Sequence, residues 1–390
     1  MKLQNMKIKV GIMAASTLQM AAVALMGLVP LAIVHYYDQS VTSVQSAFTL
    51  PMLTIAPAML TVGFISKYIG KKIPLIVGLT LIFIFSIIPA VFELPFPLFM
   101  LMTGGFGLGV GCVMSSAAGL ITDYFTGAER ANLMGKQSAF INLGGMLLAF
   151  AVGVLLPFGW TTALFVYIYT IPILLIVLLC IPGDRKASGN KQGETGKRKL
   201  TSGTLFICVI FLFFGVFQGA TLPNAGLLVQ ERNLGDPATA SFGISMMTAV
   251  GIIAGLLYGR ITLIIKKYML PSSLVVMAGG ILLAGSATTV LQFYVGFIVL
   301  GFGHASAIPT GTFLAAQSVD QASSTLAMSV FYATLCAAIF FSPMITNPLS
   351  EAIAAGTAQN RYFIGATVLI ALAVVSLINA ARKKEELGRP

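Results

Sequence analysis

From Val10 to Ala381 the chain is a succession of long apolar runs, interrupted by short polar or basic breaks and almost free of charge inside the runs. A helix needs about twenty apolar residues to cross the hydrocarbon layer, because no backbone polar group can be left unpaired in lipid. Twelve segments meet that length: 10–34, 43–66, 73–93, 97–122, 136–157, 161–181, 203–228, 240–264, 271–290, 292–317, 325–346 and 362–381. The pattern predicts an all-α membrane protein of twelve transmembrane helices. The first run is longer than the apolar core of a secretion signal and leads into His35-Tyr36-Tyr37-Asp38, not a small-residue cleavage site, so it is expected to be retained.

The basic residues orient these spans, since cationic loops stay on the cytoplasmic side. The even-numbered connections and both tails carry 21 of the 23 Lys and Arg, and the opposite connections hold only Arg232 and Arg361. That division requires an even number of spans with both termini cytoplasmic, in a cell (inner) membrane. It also accounts for the net charge of +11 without a nucleic-acid partner, because the cytoplasmic leaflet is anionic. The four cysteines, Cys112, Cys180, Cys208 and Cys336, lie inside apolar runs without paired spacing and read as packing residues. No cofactor or metal is expected, and the chain reads as a monomer.

Residues 183–201 are rich in Gly, Ser, Lys and Arg and divide the chain near its middle, which predicts a bundle over 1–182, a cytoplasmic linker, and a second bundle over 202–390. An internal repeat supports two pseudo-symmetric six-helix halves. At an offset of 196, Gly105-Phe106-Gly107 returns as Gly301-Phe302-Gly303, and the segment from Gly63 to Lys71 returns as Gly259 to Lys267. Parallel halves of this kind support alternating access in transporters.

The segment after span 2, Gly63-Phe-Ile-Ser-Lys67-Tyr-Ile-Gly70-Lys71-Lys72, resembles the signature loop of the major facilitator superfamily, and Asp123-Tyr-Phe125-Thr-Gly-Ala-Glu129-Arg130 resembles that family's segment at the end of span 4. The family usually has Asp where this chain has Lys67 and Arg where it has Tyr68. The resemblance spans essentially the whole chain and implies a secondary transporter whose spans 1, 4, 7 and 10 line the pathway. Small organic-compound exporters of that superfamily often carry a Gly-Pro centre in span 5, replaced here by Ala149-Phe150 within Gly145–Gly153, and an arginine in span 4 at the place of Thr103. Both departures weaken drug export by proton antiport without excluding it.

Candidate chemistry follows from what is scarce. An ionisable side chain within a span is costly and so a functional candidate, and only His304 lies well inside one. With small neighbours and Pro309 nearby, it is the candidate for proton coupling or substrate contact; the alternative is a neutral imidazole bonded between helices. Gln19, Asn142, Gln218, Asn224 and Tyr332 supply uncharged polar groups that orient a solute or join helices. Gln218 less the repeat offset falls one helical turn from Gln19, so the two amides belong on one face of repeat-related spans. A cytoplasmic gate is expected from Gly63, Lys67, Gly70, Lys71, Lys72, Asp123, Glu129 and Arg130, with Lys67 or Lys71 paired to Asp123 or Glu129; the alternative is that these lysines only obey charge orientation.

No phosphate-cradling GxxxxGK[ST] loop is present, so nucleotide-driven transport is not expected. The lack of a midplane acid weakens organic cations as cargo, and the lack of a midplane Arg or Lys weakens strong anions, leaving a neutral, zwitterionic or amphipathic small-molecule solute, moved with protons. Import and export both stay open. An enzyme, a sensor or a channel is less favoured: His35 and His304 stand in separate spans without a companion nucleophile or ligand, and no filter motif is present.

Overall fold

The helices begin and end where local chemistry supplies or withdraws backbone partners. The computed structural model describes residues 2–183, 200–320, 323–353 and 355–387. Its helices, in chain order, are α1 (Lys2–Ser16), α2 (Ala21–Ala24), α3 (Val29–His35), α4 (Val41–Ile69), α5 (Lys72–Val91), α6 (Phe96–Tyr124), α7 (Gly127–Leu155), α8 (Trp160–Leu164), α9 (Thr170–Cys180), α10 (Ser202–Gly219), α11 (Ala225–Glu231), α12 (Ala238–Ile265), α13 (Met269–Gly285), α14 (Val290–Gln317), α15 (Ser324–Ile353) and α16 (Ala358–Leu387). Ser40 caps α4 by accepting the Ser43 amide at 3.1 Å, and Thr289 caps α14 through the Gln292 amide at 3.2 Å, each satisfying an otherwise orphan donor. Gly70 ends α4 at φ 76, a conformation that glycine adopts without a Cβ penalty.

Eleven segments of the described residues are long and apolar enough to cross a membrane. One of them, Ala238–Gly285, contains both α12 and α13, parted by a 3-10 turn over Lys266–Tyr268 with Lys266 at φ 54. The linker expected over 183–201 lies outside the described residues except at its ends.

The chain falls into two compact units: residues 1–193 with 240–249, and residues 194–239 with 250–390. In the first, α6 packs on α4 and α5, and α1 on α7 and α9. In the second, α14 packs on α13, and α10 and α13 pack on α16, with α10 also against α15. Small residues let these helices approach closely, since apolar burial gives little drive between helices in lipid. Gly107 and Gly303, the last residues of the repeated triplet, would each drive a Cβ into backbone, of Pro51 and Met277 respectively. The triplet is thus a packing device in both units, though turned toward different neighbours.

The first and seventh spans are discontinuous. Between α1 and α2, residues Thr17–Gln19 donate their amides three residues back, to Ala14, Ala15 and Ser16, each at 3.2 Å. The sequence supplies the reason: Ser16 and Thr17 return their hydroxyls to the Ile12 and Ala14 carbonyls at 2.8 and 2.7 Å, competing with the helical ladder. Between α10 and α11 the chain turns through Ala220-Thr221-Leu222-Pro223-Asn224, where Pro223 has no amide hydrogen to continue a helix.

Near the connections after the first and third spans, His35, Tyr36, Phe96, Phe99 and Trp160 form a ring cluster with centroid separations of 4.7 to 5.9 Å. The Tyr36 hydroxyl donates to the Leu94 carbonyl at 2.9 Å, joining the two connections, and burial pushes its pKa up to about 12.

A Cβ at Gly144 of α7 would overlap the Thr17 backbone at the first break, whereas one at Gly135 of the same helix meets nothing within 4 Å. Thermal unfolding in detergent should show Gly144→Ala destabilised by about 1–3 kcal/mol through overpacking, with Gly135→Ala unchanged or slightly stabilised. Equal midpoints for the two variants would contradict this account of the α7 contact.

Candidate functional site

In the second unit, His304 occupies the middle of α14. Its Nδ1 is buried without a hydrogen-bond partner, and its ring stacks on Phe214 of α10 at 6.4 Å with 24° between planes. Phe214 and Gln218 are four residues apart and share a helix face. The ring pair joins α14 to α10, with Gln218 one turn further along α10; Phe214 was not singled out by the sequence reading. Gln218 is 2% exposed. Ser306, two residues past the histidine, also buries a hydroxyl oxygen without a partner.

The other polar candidates stand apart from this group. Tyr332 of α15 meets Thr312 through its hydroxyl at 3.4 Å. Asn224 closes the break in the seventh span: its Nδ2 donates to the Ala220 carbonyl at 2.8 Å and its Oδ1 accepts from Arg361 Nη1 at 2.7 Å. In the first unit, Gln19 lies in the break itself, its Nε2 directed to Ser16 Oγ at 3.3 Å. Asn142 of α7 donates to its own helix at the Ser138 carbonyl, 3.0 Å away.

Arg361 corrects the sequence reading, which placed it in a connection. It belongs to the first turn of α16 and is only 7% exposed. A buried guanidinium needs partners, and besides Asn224 it donates to the Gly356 carbonyl at 2.9 Å, with Glu231 and Glu351 near enough to act on it electrostatically. Glu231 in turn accepts the α16 amides of Ala358 and Gln359 at 2.7 and 3.2 Å, an acid at a helix N-terminus. The signal was available as an arginine immediately before an apolar run with no counter-charge adjacent to it; its partner lies 137 residues away.

The basic segment after α4 is held by named contacts. Lys71 Nζ lies 2.7 Å from Asp123 Oδ1 and 3.0 Å from the Gly119 carbonyl, and its stem crosses α6 where Gly119 has no side chain. Lys72 donates to the carbonyls of Leu178 and Ile181, at 3.3 and 2.5 Å, at the end of α9. Glu129, expected to face Lys67 or Lys71, pairs instead with Lys9 at 2.6 Å, and Lys9 also sits over the Phe125 ring. The Lys67 side chain lies outside the described residues. Arg130 is exposed. Gly63 has open space around it, so close helix approach is not its role; Gly70 acts by its backbone angle.

Thr103, at the place of the exporters' arginine, bonds the Met100 carbonyl at 2.9 Å and faces a cavity with room for about one water molecule, walled by Leu25, Phe85, Phe99 and Phe106. An arginine would have neither space nor a counter-charge among these walls.

Comparison with known proteins agrees with this architecture. The Major Facilitator Superfamily model matches residues 11–343. Among solved structures, a bacterial homolog of the human lysosomal transporter Spinster, inward-facing and unoccupied, aligns with TM-score 0.73 and 15% identity over 98% of this chain and 96% of its own. A point mutant of the nucleoside transporter NupG aligns at 0.73 and 14%, over 95% and 99%, and a D-xylose-proton symporter at 0.74 and 17%, over 95% and 97%. A search of curated proteins found no match. Matched over most of its length by the family's model and carrying its fold, the chain belongs to the Major Facilitator Superfamily and is a multi-pass membrane transporter, not an enzyme.

Proposed function

We propose that the chain is a twelve-span secondary transporter that moves a neutral, zwitterionic or amphipathic organic solute by alternating access, coupled to protons through His304. Its halves are six-span bundles, and both termini face the cytoplasm of a cell inner membrane. The twelfth span comes from dividing Ala238–Gly285: its 48 residues would run for about 72 Å as one helix, more than twice the hydrocarbon thickness, and the interruption falls on Lys266 and Lys267, which belong at a cytoplasmic turn.

The observation that carries the reading is the unpartnered Nδ1 of His304 at mid-helix, beside Phe214 and on the side of Gln218. A histidine titrates near physiological pH, and in a span an ionisable group without a structural partner is the natural proton carrier. A fold shared with a proton symporter supports the coupling. Phe214 offers a ring face and Gln218 an amide, a pairing suited to a solute with both apolar and uncharged polar parts. Gln19 and Asn142 in the first unit are the further amide contacts, with Tyr332 as a hydroxyl contact in the second. Drug export with an arginine in span 4 finds no support at Thr103, and direction is decided by the class of ligand that binds.

Purified protein should be scanned for thermal stabilisation by sugars, nucleosides, amino acids, organic acids and amphipathic drugs, on both sides of the ordinary histidine pKa of about 6.5. A ligand at about a hundred times its Kd stabilises by about 2.7 kcal/mol. The expected result is one pH-dependent class whose pH dependence is lost in His304→Gln while the folded protein remains. Stabilisation that ignores both pH and the substitution would remove His304 from the mechanism; hits among lipophilic drugs alone would assign export.

Lys71 and Asp123 are the gate pair in this reading. A partly exposed ion pair contributes only about 0–1 kcal/mol, so Lys71→Gln or Asp123→Asn should change the transport rate of the ligand so identified by about twofold to fivefold, and the exchange Lys71→Asp with Asp123→Lys should recover part of it. Rates identical in all three variants, at normal insertion, would leave the lysine with an orienting role only.

A further inference from the structure

Both broken spans are held at the break by a buried tyrosine hydroxyl from the sixth span of the same half. Tyr167 donates to the Ala21 carbonyl at 2.8 Å, at the first residue of α2 and directly after the break. Tyr362 donates to the Thr221 carbonyl, also at 2.8 Å, inside the turn between α10 and α11. Both side chains are fully buried, at 0% and 1% exposure. The tyrosines stand 195 residues apart, one short of the repeat offset, and each accepting carbonyl lies within three residues of a glutamine, Gln19 or Gln218.

We infer that Tyr167 and Tyr362 are repeat-related positioning residues that fix the shape of the two breaks and thereby aim Gln19 and Gln218. In a lipid-surrounded bundle there is no water to bond, so the Thr221 carbonyl in its turn is satisfied by Tyr362, and at the first break Tyr167 pins the residue at which α2 begins. The local supports differ between units. In the first, Gly144 of α7 lies against Thr17 and Phe106 packs its ring edge-on to Tyr167 at 5.1 Å. In the second, Arg361, the residue before the tyrosine, bonds Asn224 on the far side of the turn, and Ser342 of α15 donates to the Val216 carbonyl just before it at 2.5 Å. The two breaks therefore have separate locks, one neutral and one charge-assisted, and respond separately to substitution.

This inference rests on the proposed role of the two glutamines, but its test does not require a substrate. Amide hydrogen exchange of the intact protein should show Tyr167→Phe accelerating exchange across residues 17–24 by about tenfold, the effect of one buried hydrogen bond, while residues 218–225 keep the wild-type rate. Tyr362→Phe should do the reverse. With the native cysteines replaced by serine, the N-ethylmaleimide reaction rate at Gln19→Cys should change with Tyr167→Phe and not with Tyr362→Phe, and the opposite should hold at Gln218→Cys. Unchanged exchange at both breaks, or acceleration spread evenly over all helices, would overturn the positioning role and leave the transporter reading standing. The variants act on separate units, so either one that folds decides its own.

Discussion

Everything in this chain depends on the rule that a backbone polar group inside lipid must find its partner within the protein. Long uninterrupted helices obey it without assistance. Where the first and seventh spans depart from them, side chains do what water does elsewhere. Ser16, Thr17 and Tyr167 serve the first break, and Asn224, Arg361 and Tyr362 serve the second. Such departures lower local stability unless their backbone groups are satisfied, which is the role these side chains fill.

The same rule explains what the lysines of the basic segments do. The last carbonyls of a helix have no ladder partners and carry the negative end of its dipole. Lys72 meets the end of α9 at Leu178 and Ile181. Lys267 reaches the Ala380 carbonyl at 3.1 Å, inside α16 and not at its end, so in each unit a lysine of the basic turn ties to the last membrane helix but only Lys72 serves its free carbonyls. Charge distribution alone would place these lysines on one side of the membrane. The contacts add a structural use, and they leave Lys71 as the one that reaches an acid on α6.

How much of this was legible in the sequence varied with the range of the interaction. The spans were legible because length and hydropathy are local properties: the expected 97–122 and 292–317 are α6 and α14 nearly to the residue. The 3-10 turn between α12 and α13 falls on Lys266 and Lys267, where the sequence had expected a basic connection. The breaks were not legible, since the run from Val10 to Val34 is apolar almost throughout, although the adjacent Ser16 and Thr17 were a usable sign. His304 and Gln218 were legible as scarce polar groups, but the stacking of His304 on Phe214, one turn from Gln218, needed the packing of α10 on α14. The partners of Lys71 and Glu129 were narrowed to a few residues by sequence, yet Lys9 as the partner of Glu129 joins α1 to the first turn of α7, more than a hundred residues on. The tyrosines were hidden because a tyrosine in an apolar span is ordinary until its acceptor is known.

Arg361 bears on the solute as well as on the fold. Anionic cargo was disfavoured because no arginine or lysine stood at mid-span, and a buried arginine looks at first like the missing site. Its geometry argues otherwise. It stands in the first turn of α16, not at the middle, and two of its nitrogens already serve Asn224 and Gly356. The carboxylates of Glu231 and Glu351 act on it electrostatically, while its Nε is buried without a hydrogen-bond partner. Releasing the guanidinium would give up its bonds to Asn224 Oδ1 and the Gly356 carbonyl and loosen the second break. Arg361 is therefore accounted for as a residue that shapes the start of α16 and the turn between α10 and α11.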